Sequence, residues 1–290
     1  MSMNIRTVLS LVCCMAFAVA AVAQPAGPPR TSPMATTSQV VGVAKVEITY
    51  SRPFVNERAI WGELVPYGEV WRTGANEATT FEISHDAEIN GKELGAGTYA
   101  LFTIPGKDSW TLIFNKEAEQ WGAFQYKQEE DALRLEVKPE TAPHAEMFTI
   151  GFSDVDSDSA QVNLHWEKVN VPFVVEFDTP EIAIEKARED AEDPEANARG
   201  LYGWASYFHQ EGKHLDEALE WADAVTEQTE NFFTLSLKAR LQAATGKTEA
   251  ALATAKKALE LGEQAQADNP NPAVQRAIDT FKEEMEEWTS

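Results

Sequence analysis

The 290-residue chain has two cysteines, Cys13 and Cys14, both inside an N-terminal apolar run, so a chain cleaved after that run contains none. That absence excludes structural disulfides, cysteine nucleophiles and thiolate-held metals from the cleaved protein, and leaves its stability to the core. Positive charge is scarce as well: 24 Lys and Arg stand against 47 Asp and Glu, a formal net charge of -23. A surface of that sign disfavours nucleic acid and anionic membranes as partners. The imbalance is not local, because the region after Thr179 holds 23 of the acids and 11 of the bases, close to half of each. It reads as a solubility feature. Also missing are a Gly-x-Ser-x-Gly elbow, a phosphate-binding loop, a dinucleotide fingerprint and any two histidines spaced to share one helix face. No cofactor is expected.

What is present begins with a short basic start ending at Arg6, an uncharged apolar run from Val8 to Val22, and Ala21-Val22-Ala23 before Gln24. This is the pattern of a secretory signal peptide over residues 1–23. The run is shorter than the roughly 20 apolar residues a spanning helix needs, so no membrane anchor is expected after cleavage. The expected location is periplasmic or extracellular. Residues 24–38 are rich in Pro and Gly at their start and are expected to form a flexible N-terminal segment.

From Val40 to Phe177 the chain alternates with period two, beginning with Val41, Val43, Lys45, Glu47 and Thr49 on one face and Gly42, Ala44, Val46, Ile48 and Tyr50 on the other. Further strands are expected at 80–84, 87–89, 97–104, 110–115, 133–137, 147–152, 161–166 and 174–177. Asn90-Gly91 is a strong hairpin signal, because both residues tolerate positive φ, and Pro105-Gly106-Lys107-Asp108 separates two β-rich runs. Many short strands without intervening helices predict an all-β sandwich or jelly-roll-like domain over residues 39–178. Ser51 to Thr79 is a long segment without periodicity that carries Trp61, Tyr67 and Trp71. Long structured loops are disproportionately functional, although one packed by its own aromatics can simply cover one end of a sandwich.

At Thr179-Pro180 the composition shifts to Ala, Glu, Lys and Leu at helical spacing. Gly212 and Gly246 stand 34 residues apart and Ala218 and Ala251 33 apart, each glycine followed by a similar Ala-Leu phrase. That period is the one of tetratricopeptide repeats. Residues 179–290 are therefore read as an α-helical tetratricopeptide-like domain of helical hairpins, with small residues at Ala218, Ala222, Ala251 and Ala255 for close helix approach. An amphipathic helix over 272–288 caps it, and the helices are expected to lean on the β domain.

The phrases Ser51-Arg52-Pro53, Trp61 to Gly68, Trp71 to Thr79, Gly97-Thr98-Tyr99-Ala100-Leu101 and Trp110 to Asn115 closely resemble the bacterial domain-of-unknown-function 2911 family. The resemblance runs over nearly the whole cleaved chain. It implies an exported protein with this β region and a helical tail, and it supplies no chemistry.

Ligand-binding candidates lie in and before the Trp71 to Thr79 segment. Arg52, Arg58 and Arg72 can fork onto a carboxylate or phosphate, Trp71 can stack on a sugar or ring, and Asn76 can fix orientation. The alternative is that Arg52 and Arg72 pair with Glu63, Glu69 or Glu77 and hold the loop down. Asp154, Asp156 and Asp158 alternate as in the opening half of a calcium loop, but Ser159 stands in place of the turn glycine and His165 in place of the bidentate Glu. The function these features favour is a non-enzymatic exported module that binds a small polar or saccharide-like ligand on the β domain or a protein partner on the helical repeats. Two alternatives stay open: an envelope- or polymer-directed hydrolase using Asp or Glu, and a purely structural protein whose helices cover an apolar sheet face.

Overall fold

The computed structural model describes residues 28–192 and 198–288, so the expected signal peptide over residues 1–23 lies outside the described residues. The β domain holds ten strands: β1 (Met34–Val41), β2 (Ala44–Ser51), β3 (Thr79–Ile83), β4 (Ala87–Ile89), β5 (Lys92–Leu94), β6 (Gly97–Ile104), β7 (Trp110–Asn115), β8 (Asp131–Val137), β9 (Glu140–Ser153) and β10 (Ser159–Glu176). They form a six-stranded sheet in the order β1-β2-β3-β6-β7-β8 and a four-stranded sheet in the order β5-β4-β10-β9. Every pairing within them is antiparallel.

Alternation decides which side chains meet. Val46, Ile48 and Tyr50 of β2, Phe81 and Ile83 of β3, and Leu112 and Phe114 of β7 point inward. There they share one hydrophobic cluster with Val162, Leu164, Trp166, Val171, Phe173 and Val175 of β10. Such a two-faced strand buries one side of the pleat and leaves the other for solvent or for loops. On the outer face of the six-stranded sheet a smaller cluster of Ala78, Ala100, Phe102 and Ile113 is roofed by Val70, Ala123 and Tyr126.

Three sequence expectations are corrected by this architecture. The first alternating run is a hairpin rather than one strand: Val41 pairs with Ala44 around Gly42, whose φ of +57 turns the chain and whose missing Cβ leaves room for Thr179 and the Ser157 carbonyl. The preceding residues, expected to be flexible through 38, pair with β2 from Met34 onward. Finally, the strands expected at 161–166 and 174–177 are one strand, β10, which shifts register on either side of Glu167, itself at φ +54. A bulge of this kind bends a long strand without ending it.

Helices α1 (Thr179–Glu192), α2 (Ala198–Glu211), α3 (Leu215–Gln228), α4 (Phe232–Ala244), α5 (Thr248–Asp268) and α6 (Pro272–Glu287) follow. α2 and α3 form one hairpin around Gly212, and α4 and α5 a second around Gly246. Ala218, Ala222, Ala251 and Ala255 are buried, as close helix approach requires. Asn231 and Thr234 exchange side-chain and backbone hydrogen bonds in a capping box that starts α4. α6 buries Ile278 and Phe281 beside Phe232 and Leu235, closing the second hairpin.

The helices have their own interiors. Two hydrophobic clusters lie wholly within them, and Ile182 is the helical side chain packed against the β core. Elsewhere the junction is polar, with the Thr179 hydroxyl donating to the Ser157 carbonyl at 3.1 Å and Lys213 paired with Asp178 at 2.8 Å. No helix among the described residues is long and apolar enough to cross a membrane.

Candidate functional site

The five candidates from the long segment are drawn inward or onto backbone. Trp71 is 8% exposed and belongs to the inter-sheet core, where it meets Trp61, Trp110, Trp166 and Phe148 at ring-centroid distances of 5.4 to 6.4 Å. Its indole N–H donates to the Gly74 carbonyl at 3.1 Å. A ring so enclosed cannot stack on a ligand, which corrects the role expected of it. Arg52 donates from Nε to the Phe148 carbonyl at 2.9 Å and from its terminal nitrogen to the Thr149 hydroxyl at 2.7 Å, tying the long segment to β9. Arg58 closes its own turn on the carbonyls of Phe54 and Val55.

Asn76 donates from Nδ2 to the Ser32 carbonyl and the Ser51 hydroxyl, both at 3.2 Å. Arg72 is half-buried, its Nε has no acceptor, and burial holds its pKa below the usual guanidinium range. The arginines are thus not held by Glu63, Glu69 or Glu77: Arg52 is bound to a carbonyl and a hydroxyl, and Arg72 makes no ion pair among the described residues. At the β9–β10 turn the Asp156 carboxylate accepts from the Ser157 N–H and Asp154 from the Ser153 hydroxyl. No three His, Cys, Asp or Glu side chains among the described residues, Asp154, Asp156 and Asp158 included, converge as a metal site.

A second loop, residues 116–130 between β7 and β8, behaves in the opposite way. It is anchored by Asn115, fully buried at the end of β7, whose amide is satisfied on every side. Nδ2 donates to the Lys127 carbonyl at 3.0 Å and to Asp131 at 2.8 Å, while Oδ1 accepts from the Glu117 N–H at 3.1 Å and Gln120 Nε2 at 3.2 Å. Asp131 in turn accepts from the Tyr126 hydroxyl at 2.7 Å and from Arg134 at 3.0 Å. Burial first, then the Asp131 carboxylate, pushes the Tyr126 phenol up to about 12. The loop is also zipped to the long segment, with the Ala78 N–H on the Gln120 carbonyl at 2.9 Å and the Gly122 N–H on the Asn76 carbonyl at 3.1 Å.

This rigid support displays aromatic rings. Trp121 is 59% exposed and Phe124 86% exposed, and neither ring meets another aromatic among the described residues. Phe124 lies across Gly122, where a Cβ would stand 2.8 Å from its ring and where φ is +68. The tied loop thus holds two aromatic rings in water.

Beside Trp121 runs a groove of about 450 Å³ on the outer face of the six-stranded sheet, a volume inside the roughly 300–1,000 Å³ range of small-molecule sites. Thr49 and Thr80 line it. They belong to a row set by strand register: Thr36 pairs with Thr49, Thr49 with Thr80, Thr80 with Ala100, and Ala100 with Asn115, the amide that anchors the loop. The Thr36 and Thr49 hydroxyls share a hydrogen bond at 2.8 Å. Met34, Ser51, Gln120 and Trp121 line it as well. Gln120 is 7% exposed, and its side-chain oxygen is buried without a donor. Leaving such an acceptor unmet costs about 1–3 kcal/mol.

Among these residues Thr49, Ser51, Thr80, Ala100 and Asn115 entered the sequence reading only as parts of strands or phrases, and Gln120 and Trp121 did not enter it. The available signal was the run Gln120-Trp121-Gly122-Ala123-Phe124-Gln125-Tyr126, aromatics at no regular period directly after a strand.

Comparison with curated proteins and with solved structures finds no match. The family comparison does: residues 32–175, spanning both sheets and both loops, match the family described as protein of unknown function (DUF2911), and it is through this β domain that the chain resembles that family.

Proposed function

We propose that this protein is an exported, non-enzymatic binding module whose β domain takes a small polar ligand in the groove beside Trp121. The observation that carries the reading is the pairing of a rigidly tied loop with an exposed indole at the rim of an open groove. A catalytic reading would need converging titratable groups with displaced pKa values. The groove offers hydroxyls, an amide and an indole beside the carboxylates of Glu77 and Glu119, which are groups that can hold a ligand. The signal-like N-terminus supports export, and the 34-residue spacing of Gly212 and Gly246 supports a tetratricopeptide-like reading of the helical hairpins.

A thermal-shift screen tests this. Protein from residue 24 onward is melted with sugars, peptidoglycan fragments, nucleotides, organic acids and divalent metals, since a compound that binds only the native state raises the melting temperature. The expected result is a shift with one class that disappears in Trp121→Ala. A shift that survives Trp121→Ala places the ligand elsewhere, and no shift at all moves the interaction to a protein partner on the helical hairpins.

A further inference from the structure

We propose that the free edge of β1 docks a second copy of this chain, the two β1 strands pairing antiparallel so that the six-stranded sheets of both copies run on into one. The proposal stands on β1 itself and does not rest on the groove.

β1 differs from the other sheet edges of the β domain. The outermost strands are β1 and β8 in one sheet, β5 and β9 in the other. β8 carries Asp131, Arg134 and Glu136, β5 is three residues long with Lys92 and Glu93, and β9 carries Glu140, Pro143, His144 and Glu146. β9 is also covered in part, since the Glu146 carbonyl accepts from the Val55 N–H and the Phe148 N–H donates to the Pro53 carbonyl. Charge, proline and shortness are the ordinary means by which an edge is kept from pairing. β1 reads Met34-Ala35-Thr36-Thr37-Ser38-Gln39-Val40-Val41: eight residues with no charge, proline or glycine, all paired with β2 without a bulge. Among the described residues no strand lies on its other side.

Register shows which backbone groups are left over. The two-residue turn Gly42-Val43 closes on Val41 and Ala44, and such a turn closes on a hydrogen-bonded pair, after which bonded and non-bonded pairs alternate. Odd-numbered residues therefore turn their backbone groups to β2, as the Pro33 carbonyl does in accepting from the Arg52 N–H at 2.9 Å. The N–H and C=O groups of Met34, Thr36, Ser38 and Val40 point the other way. The Val40 carbonyl accordingly accepts from the Gln39 side-chain amide at 2.8 Å instead of from a strand. All four residues are exposed.

The strand is complementary to itself. With Thr37 opposite Thr37 of the second copy, Met34 falls opposite Val40 and Thr36 opposite Ser38, each twice, and the outward groups of all four residues are used in both strands. That register brings together the two exposed apolar side chains of β1 and its hydroxyls, cross-strand pairings that stabilise antiparallel sheets. Charge selects the same edge: two chains of net charge -23 repel, and β1 is an uncharged stretch where they can approach, so association must tighten as salt screens the rest. An edge about 27 Å long and one strand thick buries less than the roughly 1,200 Å² of a standard interface, so the dimer is weak and reversible. An extended peptide would make the same backbone bonds but would first have to be ordered, whereas β1 of a second copy is already held straight by β2.

The test is sedimentation velocity of the chain from residue 24 as concentration and salt are raised, with three variants. The expected result is a reversible monomer–dimer equilibrium that tightens with salt. Ser38→Pro removes an N–H that points to the free edge and no bond to β2, so it should abolish the dimer with the melting temperature unchanged. Thr37→Cys, which supplies the only cysteine in that chain, should form an intermolecular disulfide on mild oxidation, because the two copies of residue 37 stand directly opposite in a non-bonded pair. Val40→Cys should stay reduced, since it faces Met34 of the second copy. Thr37→Cys keeps the test valid if Ser38→Pro loosens the hairpin. A dimer that survives Ser38→Pro, that loosens as salt is raised, or in which Val40→Cys crosslinks as fast as Thr37→Cys overturns this pairing. So does a chain that is monomeric throughout and whose Thr37→Cys variant stays reduced. A monomeric chain whose β1 amides gain exchange protection from a synthetic peptide of residues 34–41 overturns the second-copy claim and leaves the edge as a strand-binding site.

Discussion

The two loops that lie side by side on the β domain make opposite use of the same residue type. The segment from Ser51 to Thr79 turns Trp61 and Trp71 into the space between the sheets, where they meet Trp110, Trp166 and Phe148. The loop from Lys116 to Glu130 spends its buried groups on polar anchoring and leaves Trp121 and Phe124 in water. Aromatic content alone therefore does not mark a binding loop. What distinguishes them is where the hydrogen bonds go: Arg52 and Asn76 of the first loop reach neighbouring segments, whereas Asn115 at the end of β7 and Tyr126 tie the second loop to the two strands it joins.

The sharpest way to break this comparison is to remove one indole from each side. Trp71→Ala should cost about 3–5 kcal/mol in denaturant unfolding, the usual range for deleting a buried aromatic ring, whereas Trp121→Ala should change stability by no more than about 0.5 kcal/mol. Equal costs would mean that Trp121 is a core residue too. Next in size is Asn115→Ala, which strands the Lys127 carbonyl, Asp131, the Glu117 N–H and Gln120 at once. A loss of roughly 1–3 kcal/mol is expected, with faster amide hydrogen exchange confined to residues 116–130 and with exchange around Trp71 unchanged.

Gly122→Ala is a smaller perturbation of the same loop. A side chain at φ +68 costs about 1–2 kcal/mol, and the new methyl must displace the Phe124 ring 2.8 Å away. The readout is a changed Phe124 environment by NMR with the β core resonances in place. Smallest is the alkaline effect. The Tyr126 phenol titrates near 12 in the folded protein against an ordinary 10.0. Above pH 10 the unfolded chain then gives up this proton before the folded one, so stability present below pH 10 is lost as pH rises toward 12. Tyr126→Phe should flatten that decline, and an unchanged slope would show that the phenol is not held by the loop.

The sequence was most legible where packing is periodic. β4, β6 and β7 begin and end where alternation and turn residues put them, and the Asn90-Gly91 turn has both residues at positive φ, as a two-residue hairpin demands. β1 escaped because it is an edge strand that pairs with β2 alone and buries only Val41, so it carries no apolar alternation to read. β10 was split because its bulge at Glu167 interrupts the period without interrupting the strand.

The candidate site was hidden for a different reason. Thr49, Thr80, Gln120 and Trp121 come from distant parts of the chain and meet only through register, and threonines on the outer face of a strand look the same whether they line a groove or face open solvent. The arginines drew attention in an acidic chain by their charge. Local hydrogen bonds to carbonyls, which no composition reveals, then turned out to occupy two of the three.

The central claim is that Trp121, and not Trp71, is the indole this protein offers to a ligand. Limited oxidation with N-bromosuccinimide, mapped by mass spectrometry with and without a saturating amount of the compound that gives the largest thermal shift, tests it directly. The account predicts that Trp121 is oxidised first in the free protein, that the compound protects it, and that Trp71 stays unmodified in both samples. Oxidation of Trp71 ahead of Trp121, or a Trp121 equally reactive with the compound present, would contradict it.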